Sequence, residues 1–414
     1  MSYYVKKYSD LFIIFLLGCC IIGFALPLDW RIPLAVLVMT GIASTLLDRP
    51  AQIGQSYSSL FLPLGLYLLV TGLTTAYSVD VKHSLQMSIT LIPAIFLGYL
   101  IAEHVNNIKA IKLLFTICMI LTLLLSVCLL WIAGYNPEGY PSGWIESFGS
   151  TLLLGHNDTV VLALLAPFSL ALIWIQPRSL MAILAVIALV LSSAVIVTYQ
   201  SRGALLTLIL AVGLMTFLLN RRVALWLIVS LLLLAIVVDA WLGWPLLTKF
   251  MGFGQMLDSR FRLWVAAWQV FVDHPFLGTG PHTYGLVYRE YFQNLTLPDW
   301  VGIDHRHSPW AHNLYLETLA EQGLLGMLAL GFLLLRGLTL ILRTPNHRLD
   351  RLEIIIKAAL LVGLLCFMFC ALFEATLKRV WALLILAILL GSSYFAASQT
   401  GDNYESNDNT QKAN

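Results

Sequence analysis

Residues 179–219 read SLMAILAVIALVLSSAVIVTYQSRGALLTLILAVGLMTFLL, and this stretch decides the fold class. It holds two apolar runs around a short polar segment, and its single charged residue is Arg202. A helix needs about 20 predominantly apolar residues to cross the hydrocarbon core of a bilayer, because each residue adds about 1.5 Å. Each run is close to that length. The stretch therefore predicts two transmembrane helices that meet at one membrane surface.

The composition of the whole chain agrees with this interpretation. Of its 414 residues, 59% are hydrophobic and 11% are charged, whereas a soluble domain carries about 25% charged residues. This balance excludes an ordinary soluble protein, and the lack of short alternating segments disfavours a β-barrel. All six cysteines lie in apolar runs, so they predict neither a disulfide framework nor a metal cluster.

Apolar runs recur along the chain and predict an all-α polytopic membrane protein with about twelve transmembrane helices. The predicted spans are 9–27, 31–47, 58–77, 84–103, 110–134, 158–176, 179–199, 203–219, 222–243, 314–335, 354–376 and 379–397. The corresponding division of the chain is 1–243 with helices 1–9, a large loop at 244–312, 313–397 with helices 10–12, and a disordered cytoplasmic tail at 398–414.

The lysines and arginines orient the chain, because cytoplasmic connections carry an excess of them. With the N-terminus inside, 14 of the 24 lie on the cytoplasmic side, among them Arg221-Arg222 and the cluster from Arg336 to Lys357. The polar segment that contains Arg202 and the loop 244–312 are then on the outer side. The lysines and arginines that remain on the outer side are concentrated at a few places, and we expect some of them to have a function there.

Two outer segments are long. Residues 135–157 contain no lysine or arginine and are rich in Gly, Pro and Ser. The loop 244–312 is far longer than a simple connection between helices, so we expect it to have structure of its own. Asp258-Ser259 predicts a helix N-cap, Asp273-His274-Pro275 and the turn Gly278–Pro281 end that helix, and a second helix is expected from Thr283 to Gln293.

Arg202 is the clearest candidate for a functional side chain. An arginine next to a span costs several kcal/mol, at an order-of-magnitude estimate, unless it faces protein, water or a counter-ion. It either extends to lipid headgroups or forms an anion site that faces a cavity. In the second case, Gln200 and Ser201 beside it supply further hydrogen-bond donors.

Arg260 and Arg262 stand near the start of the predicted loop helix. Two residues apart, they point about 200° away from each other, so at most one of them faces a given site. Arg260 shares its face with Trp264 and Trp268 and is our choice, whereas Arg262 is expected on the opposite face and to tolerate replacement. The alternative is a solvated helix start without function.

His312 and Asn313 open the span that follows the loop. Histidine is the side chain most suited to general-base work near neutral pH, although a lone histidine at this position also serves as a polar boundary residue. His305 and His307 lie close by. Metal ligation is conceivable from this spacing but is disfavoured, because cysteines are lacking and carboxylates are few.

Glu374, Lys378 and Arg379 mark the outer junction of the last two spans. Glu374 and Lys378 have the spacing of a helix ion pair, which is the simpler interpretation. Glu317 and Glu321 lie one and two turns into a span and are expected to face the interior of the bundle.

Together these residues place two or three arginines and a histidine at one membrane face: Arg202, Arg260, His312 and also Arg379. Arginines that converge on one cavity bind a pyrophosphate without a metal ion, because the guanidinium fork matches phosphate oxygens. We therefore expect a pyrophosphate site with no metal and no other cofactor.

Three motifs resemble the bacterial O-antigen ligase and polymerase superfamily. The first is QSRGA at 200–204. The second is Arg260 with Leu263-Trp264, followed by the run DHPFLGTG at 273–280. The third is His312-Asn313 followed by EQGLLG at 321–326. The long loop before the third motif and the number of spans are also similar to the family, whereas Gly155–Asp158 matches its Asn-rich segment loosely.

The resemblance implies a fold of the GT-C kind in a bacterial inner membrane, with the active site facing the periplasm. It implies transfer of a glycan from undecaprenyl pyrophosphate to an acceptor. The essential arginines of the family correspond to Arg202 and Arg260, its histidine to His312, and an acidic position of some ligases to Glu374. The expected partners are the lipid-linked donor, lipid A–core as acceptor and membrane lipids, with no nucleic acid.

The motif set is more like the ligases, which attach O-antigen to lipid A–core, than the polymerases, which join repeat units. A polymerase stays the first alternative. A transporter or flippase is the second, but such proteins tend to have two matching halves with a site at the midplane. Here the polar residues gather at one face instead.

Overall fold

The protein is described here by a computed structural model, which covers residues 2–25, 31–47, 58–135, 159–241, 243, 253–295, 310–343, 345–346, 349–374, 377 and 379–398. The predictions for 136–158, for the tail from 399 onward, and for His305, His307 and Lys378 fall outside these residues.

Within the described ranges the chain forms α-helices and no strand, which confirms the all-α fold class. The helices are α1 (Ser2–Ala25), α2 (Arg31–Leu47), α3 (Ser58–Ala76), α4 (Val81–Ser88), α5 (Leu91–His104), α6 (Ile108–Tyr135), α7 (Val160–Ile175), α8 (Leu180–Thr198), α9 (Arg202–Leu219), α10 (Arg221–Trp241), α11 (Phe253–Asp273), α12 (Tyr284–Asn294), α13 (Leu314–Leu342), α14 (Arg351–Cys370) and α15 (Val380–Ser398).

Six helical segments of the described chain are long and apolar enough to cross a membrane. They are Val81–His104, Ile108–Trp131, Leu180–Thr198, Arg202–Leu219, Leu314–Leu342 and Arg351–Cys370. Six more apolar segments, which lie in α1, α2, α3, α7, α10 and α15, have only 10–17 residues. The chain is thus a multi-pass membrane protein by length and composition, while the count of twelve spans stays a prediction.

Two boundaries differ from the predicted spans in ways that matter for the outer face. The span predicted at 84–103 consists of α4 and α5 with a short turn at Ile89-Thr90 between them, and it begins earlier, at Val81, where the carboxylate of Asp80 accepts a hydrogen bond from His83 N at 2.9 Å as the N-cap of α4. The span predicted at 354–376 ends at Cys370. The residues that follow form a turn, which brings Glu374 to polar partners instead of leaving it in a helix.

Close packing of the membrane helices sets where their outer ends lie. α14 packs against α9 and α13, so the start of α9, the start of α13 and the end of α14 meet. α5 packs along α15 through small residues: a Cβ at Gly391 would lie 2.6 Å from the carbonyl oxygen of Gly98. Such residues let transmembrane helices approach closely.

The helices α11 and α12, from the loop predicted at 244–312, form a second, smaller core with the start of α13. The predicted N-cap at Asp258-Ser259 is wrong, since α11 already begins at Phe253. Its buried face consists of Leu263, Ala266, Ala267 and Val270. Trp268, which was predicted to share a face with Arg260, is 51% exposed, so the small residues that pack against α12 and α13 form the buried face instead.

Candidate active site

Glu374 lies at the centre of the candidate site. It ends the turn after α14, where its backbone N donates to Cys370 O at 2.9 Å. Its carboxylate is 5% exposed and has two charged or titratable neighbours. Arg260 Nη2 donates to Glu374 Oε1, and His312 Nδ1 lies 3.3 Å from Glu374 Oε2. One carboxylate therefore joins the arginine of α11 to the histidine before α13.

His312 is held in place from both sides along the chain. Its φ of 50° lies in the left-handed region, which few residues adopt. Ala311, the residue before it, accepts a hydrogen bond from Trp264 Nε1 at 3.1 Å through its carbonyl oxygen. The residue after it, Asn313, caps α13 by accepting from Tyr315 N and Leu316 N at 3.0 Å. Trp264 and Asn313 thus hold the backbone on the two sides of His312.

The contact with Glu374 also decides which nitrogen of His312 faces the site. An ionised carboxylate only accepts hydrogen bonds, so Nδ1 carries the proton toward Glu374. Nε2 of the neutral ring is then the acceptor. The His312 side chain as a whole is 19% exposed.

Arg202 begins α9 beside the same carboxylate. A Cβ on the next residue, Gly203, would lie 3.6 Å from Glu374 Cγ, so the first motif borders the Glu374 side chain. Arg202 is also near enough to Arg260 for their like charges to interact. Two guanidinium groups thus lie near one carboxylate, and the local charge favours an anion.

Arg260 has one nitrogen available for such an anion. Its Nη2 is engaged by Glu374, while its Nη1 is buried and has no hydrogen-bond partner among the described residues. A buried donor without a partner costs about 1–3 kcal/mol. A bound oxygen that accepts from Nη1 removes this cost.

The other predicted residues have different surroundings. Arg379 lies over the ring of Trp310, 4.3 Å from its centroid, and so contacts the segment just before His312. Gln200 has a φ of 53° and ends the turn before α9. Ser201 is buried beside Arg202. The roles of these three residues in binding pyrophosphate stay predictions.

Arg262 is buried, whereas its position on the helix had predicted a residue that faces away from the site and tolerates replacement. It is only 7% exposed, because the face opposite Arg260 packs into the protein instead of facing water. Replacement of Arg262 is therefore expected to affect folding, and this residue is unsuited as a neutral control.

Glu317 and Glu321 are buried in the bundle, as predicted. The Glu321 carboxylate accepts from His282 N at 2.7 Å and from Tyr284 N at 2.9 Å. Tyr284 Oη in turn donates to Leu263 O at 2.7 Å, one turn from Arg260. Glu321 therefore helps to position α11 through Tyr284, a role that could not be inferred from the sequence.

The run DHPFLGTG and the run EQGLLG interlock through their backbones. Gly280 N donates to Glu321 O at 2.7 Å, and Leu324 N donates to Pro275 O at 2.7 Å. A Cβ on Gly278 would lie 2.3 Å from Glu321 C, and one on Gly323 would lie 2.3 Å from Phe276 C. Only glycine permits this contact. The glycines in the two runs were visible in the sequence as a signal of unusual backbone. The sequence did not show that the two runs contact each other.

The same turn also contacts the outer end of α3 and the start of α4. Val79 N donates to Thr279 O at 2.9 Å, and Ser84 Oγ donates to Pro281 O at 2.7 Å. The sequence carried no signal for these two contacts, which connect residues about 200 positions apart.

We expect Gly323→Ala to destabilise the fold strongly. Gly323 has φ 63° and ψ −161° inside α13, a region open essentially only to glycine, so the backbone strain alone costs about 1–3 kcal/mol. The collision with Phe276 adds to it. Thermal denaturation of the purified protein in detergent measures the effect.

Gly331→Ala is the matched control, because it lies in the same helix and nothing is within 4 Å of its Cβ position. It should keep or slightly raise the melting temperature. Equal melting temperatures for Gly323→Ala and the parent protein would contradict the interlock.

Among the described residues, no group of three or more His, Cys, Asp or Glu side chains has the arrangement of a metal site. The expectation of a metal-independent site remains a prediction, which is tested below.

Comparison with known families gives one match. Residues 187–331 match the family model described as O-antigen ligase. The matched range contains Arg202, Arg260 and His312, whereas Glu374 lies beyond it. No match was found among curated proteins.

Proposed function

We propose that this chain, whose residues 187–331 match the family model described as O-antigen ligase, is an O-antigen ligase of the O-antigen ligase and polymerase superfamily. It would transfer a glycan from undecaprenyl pyrophosphate to lipid A–core at the periplasmic face of a bacterial inner membrane. The observation that carries the proposal is the pairing of Arg260 and His312 on the two oxygens of Glu374. A GT-C-like bundle of about twelve spans is part of the same proposal.

The pyrophosphate of the donor binds Arg202 and Arg260 in this mechanism. Arg260 keeps Glu374 on Nη2 and offers Nη1 to a phosphate oxygen. Arg202 supplies the second guanidinium from the start of α9. Fixed cations at this position stabilise the negative charge that develops on the leaving group, and no metal ion is required.

His312 Nε2 takes the proton from a hydroxyl of the acceptor sugar. The hydroxyl oxygen attacks the anomeric carbon, and the bond between that carbon and the pyrophosphate oxygen breaks. The leaving undecaprenyl pyrophosphate keeps the electron pair. The anomeric configuration is inverted because there is a single displacement. Glu374 stabilises the protonated imidazole that results.

A polymerase that joins repeat units on the lipid carrier is the alternative, because it uses the same donor chemistry. The QSRGA, Arg-x-x-Leu-Trp and His-Asn set resembles the ligases more closely. Transport is disfavoured, since the charged groups surround a His–Glu pair at one end of the bundle instead of lying between two repeats at its midplane.

The proposal predicts that transfer survives metal chelation. The purified chain is supplied with a glycan on undecaprenyl pyrophosphate and with lipid A–core, and the product is measured with and without EDTA. We expect equal rates, because guanidinium groups take the place of a cation. Loss of transfer in EDTA that Mg²⁺ or Mn²⁺ restores would contradict this mechanism. Elongation of lipid-linked repeat units instead of ligation would favour the polymerase.

A further inference from the structure

An apolar groove runs along the membrane part of the bundle between α3, α5, α13 and α15. Its lining on α5 extends from Leu91 to Gly98 and on α15 from Leu383 to Leu390. Seven residue steps of a helix correspond to about 10 Å, about a third of the hydrocarbon core. The groove therefore has the depth and the apolar surface to take part of a hydrocarbon chain.

The groove continues into a polar cavity at its outer end. The two share Tyr67, Leu91 and Leu377 in their walls. The cavity is further lined by polar residues that are able to form hydrogen bonds: Thr71, Ser88, His282, Glu317, Thr318, Glu321 and Gln322. The groove and cavity together have the form of a site for a lipid with a polar head.

The chemistry of the cavity favours a head rich in hydroxyl groups. In the described part of the chain, no lysine or arginine lines it, so a phosphate has no cation there. Gln322 is 7% exposed, and its Oε1 is buried without a hydrogen-bond partner among the described residues. An amide oxygen in this state accepts a hydrogen bond from a sugar hydroxyl.

The start of α13 connects this cavity to the candidate active site. The Leu314 side chain lines the cavity, while Leu314 N donates to Ala371 O at 2.8 Å in the turn that leads to Glu374. His312 is two residues away. By contrast, the arginines are carried by α9 and α11, which do not line the cavity.

A single inverting displacement needs the attacking hydroxyl and the leaving pyrophosphate on opposite faces of the anomeric carbon. If the arginines hold the pyrophosphate, the acceptor reaches His312 from another side. We propose that the groove and the cavity form the acceptor site, with one hydrocarbon chain of a glycolipid in the groove and its sugar hydroxyls in the cavity. This inference rests on the proposed function for the identity of the bound lipid as acceptor.

Photolabelling tests the site without requiring turnover. The full chain in nanodiscs is exposed to a synthetic glycolipid with one diazirine-bearing alkyl chain and a disaccharide head. Two comparison probes carry the same photoreactive group, one on a phosphatidylglycerol chain and one on a polyprenyl pyrophosphate. We expect the glycolipid probe to label peptides of α3 and α15 preferentially.

Two variants perturb the two ends of the site. Leu64→Trp fills the groove, and Gln322→Met keeps the side-chain length but removes the amide oxygen. Each should reduce labelling by the glycolipid by about tenfold, the equivalent of one good contact. Leu69→Trp, on the lipid-facing side of α3 with 68% exposure, is the control and should label normally. Binding of undecaprenyl pyrophosphate should be unchanged in all three.

Equal labelling by phosphatidylglycerol would overturn the proposal in favour of a structural lipid, and stronger labelling by the polyprenyl probe would assign the groove to the donor. Absence of labelling in the groove would also overturn it. Selective glycolipid labelling in a protein that transfers no glycan would support the site and reject the proposed function.

Discussion

Arg260→Lys and Arg202→Lys are each expected to lower the rate of glycan transfer by about 10²–10³. The loss at Arg260 follows directly from its contacts. Its Nη2 holds Glu374 while Nη1 stays available for the donor. A lysine has one nitrogen on a flexible stem and lacks the planar fork that serves two acceptors at once. Binding of undecaprenyl pyrophosphate should weaken in both variants.

The measurement combines in vitro transfer with donor binding on protein purified from membranes. Arg289→Lys is the matched control, since Arg289 lies exposed on the neighbouring helix α12, and it should retain transfer and binding. If Arg260→Lys binds the donor as tightly as the parent protein, the arginines have a role other than holding pyrophosphate.

Removal of the imidazole of His312 should abolish turnover and leave donor binding nearly intact. The proton moves only in the chemical step, and a general base contributes about 10²–10⁴ to the rate. His312→Asn is preferable to His312→Ala, because asparagine tolerates the left-handed φ of 50° better than alanine. Loss of activity in both variants is then attributable to the ring.

The informative quantity is the difference between the two assays. His312→Asn should transfer no glycan at a donor concentration that saturates binding. Normal transfer would exclude a general base at this position. A parallel loss of donor binding would mean that His312 mainly supports Arg260 through Glu374.

Hydropathy predicted the helices that carry the site residues because a helix must have about 20 apolar residues to cross the lipid bilayer. The predicted span at 203–219 differs by one residue from α9, and the span predicted from 314 begins where α13 begins. Arg202 and His312 could be selected because a polar residue at a span boundary is unusual and the boundary itself was clear.

The buried face of α11 could not be predicted in the same way. An amphipathic helix shows which residues are apolar, but its partners decide which face is buried. Ala266 and Ala267 pack against α12 and α13, and this contact turns Arg260 toward Glu374 and buries Arg262. The start of the helix was missed too, since Asp258-Ser259 is a capping signal only where a helix begins.

The engagement of Glu374 depended on a tertiary contact as well. Its spacing to Lys378 indicated a local ion pair, which stays a prediction, but nothing in that spacing indicated its contacts with Arg260 and His312, from distant parts of the chain. The interlocking glycines are a similar case. A glycine in the sequence marks a position where an unusual backbone conformation is possible. Only the fold shows that its φ is positive and which backbone segment lies against it.

The order of the site residues along the chain has a consequence for biosynthesis. Arg202 is made first and Glu374 last, at the turn after α14. At a translation rate of about 5–20 residues per second, on the order of 10–30 s separate the two. From the synthesis of Arg260 onward, the nascent protein carries both arginines without the carboxylate that Arg260 and His312 contact. Under the proposed mechanism, activity therefore begins only when α14 has been inserted. A chain truncated within that helix lacks the carboxylate that contacts Arg260 and His312, even if every earlier span is in place.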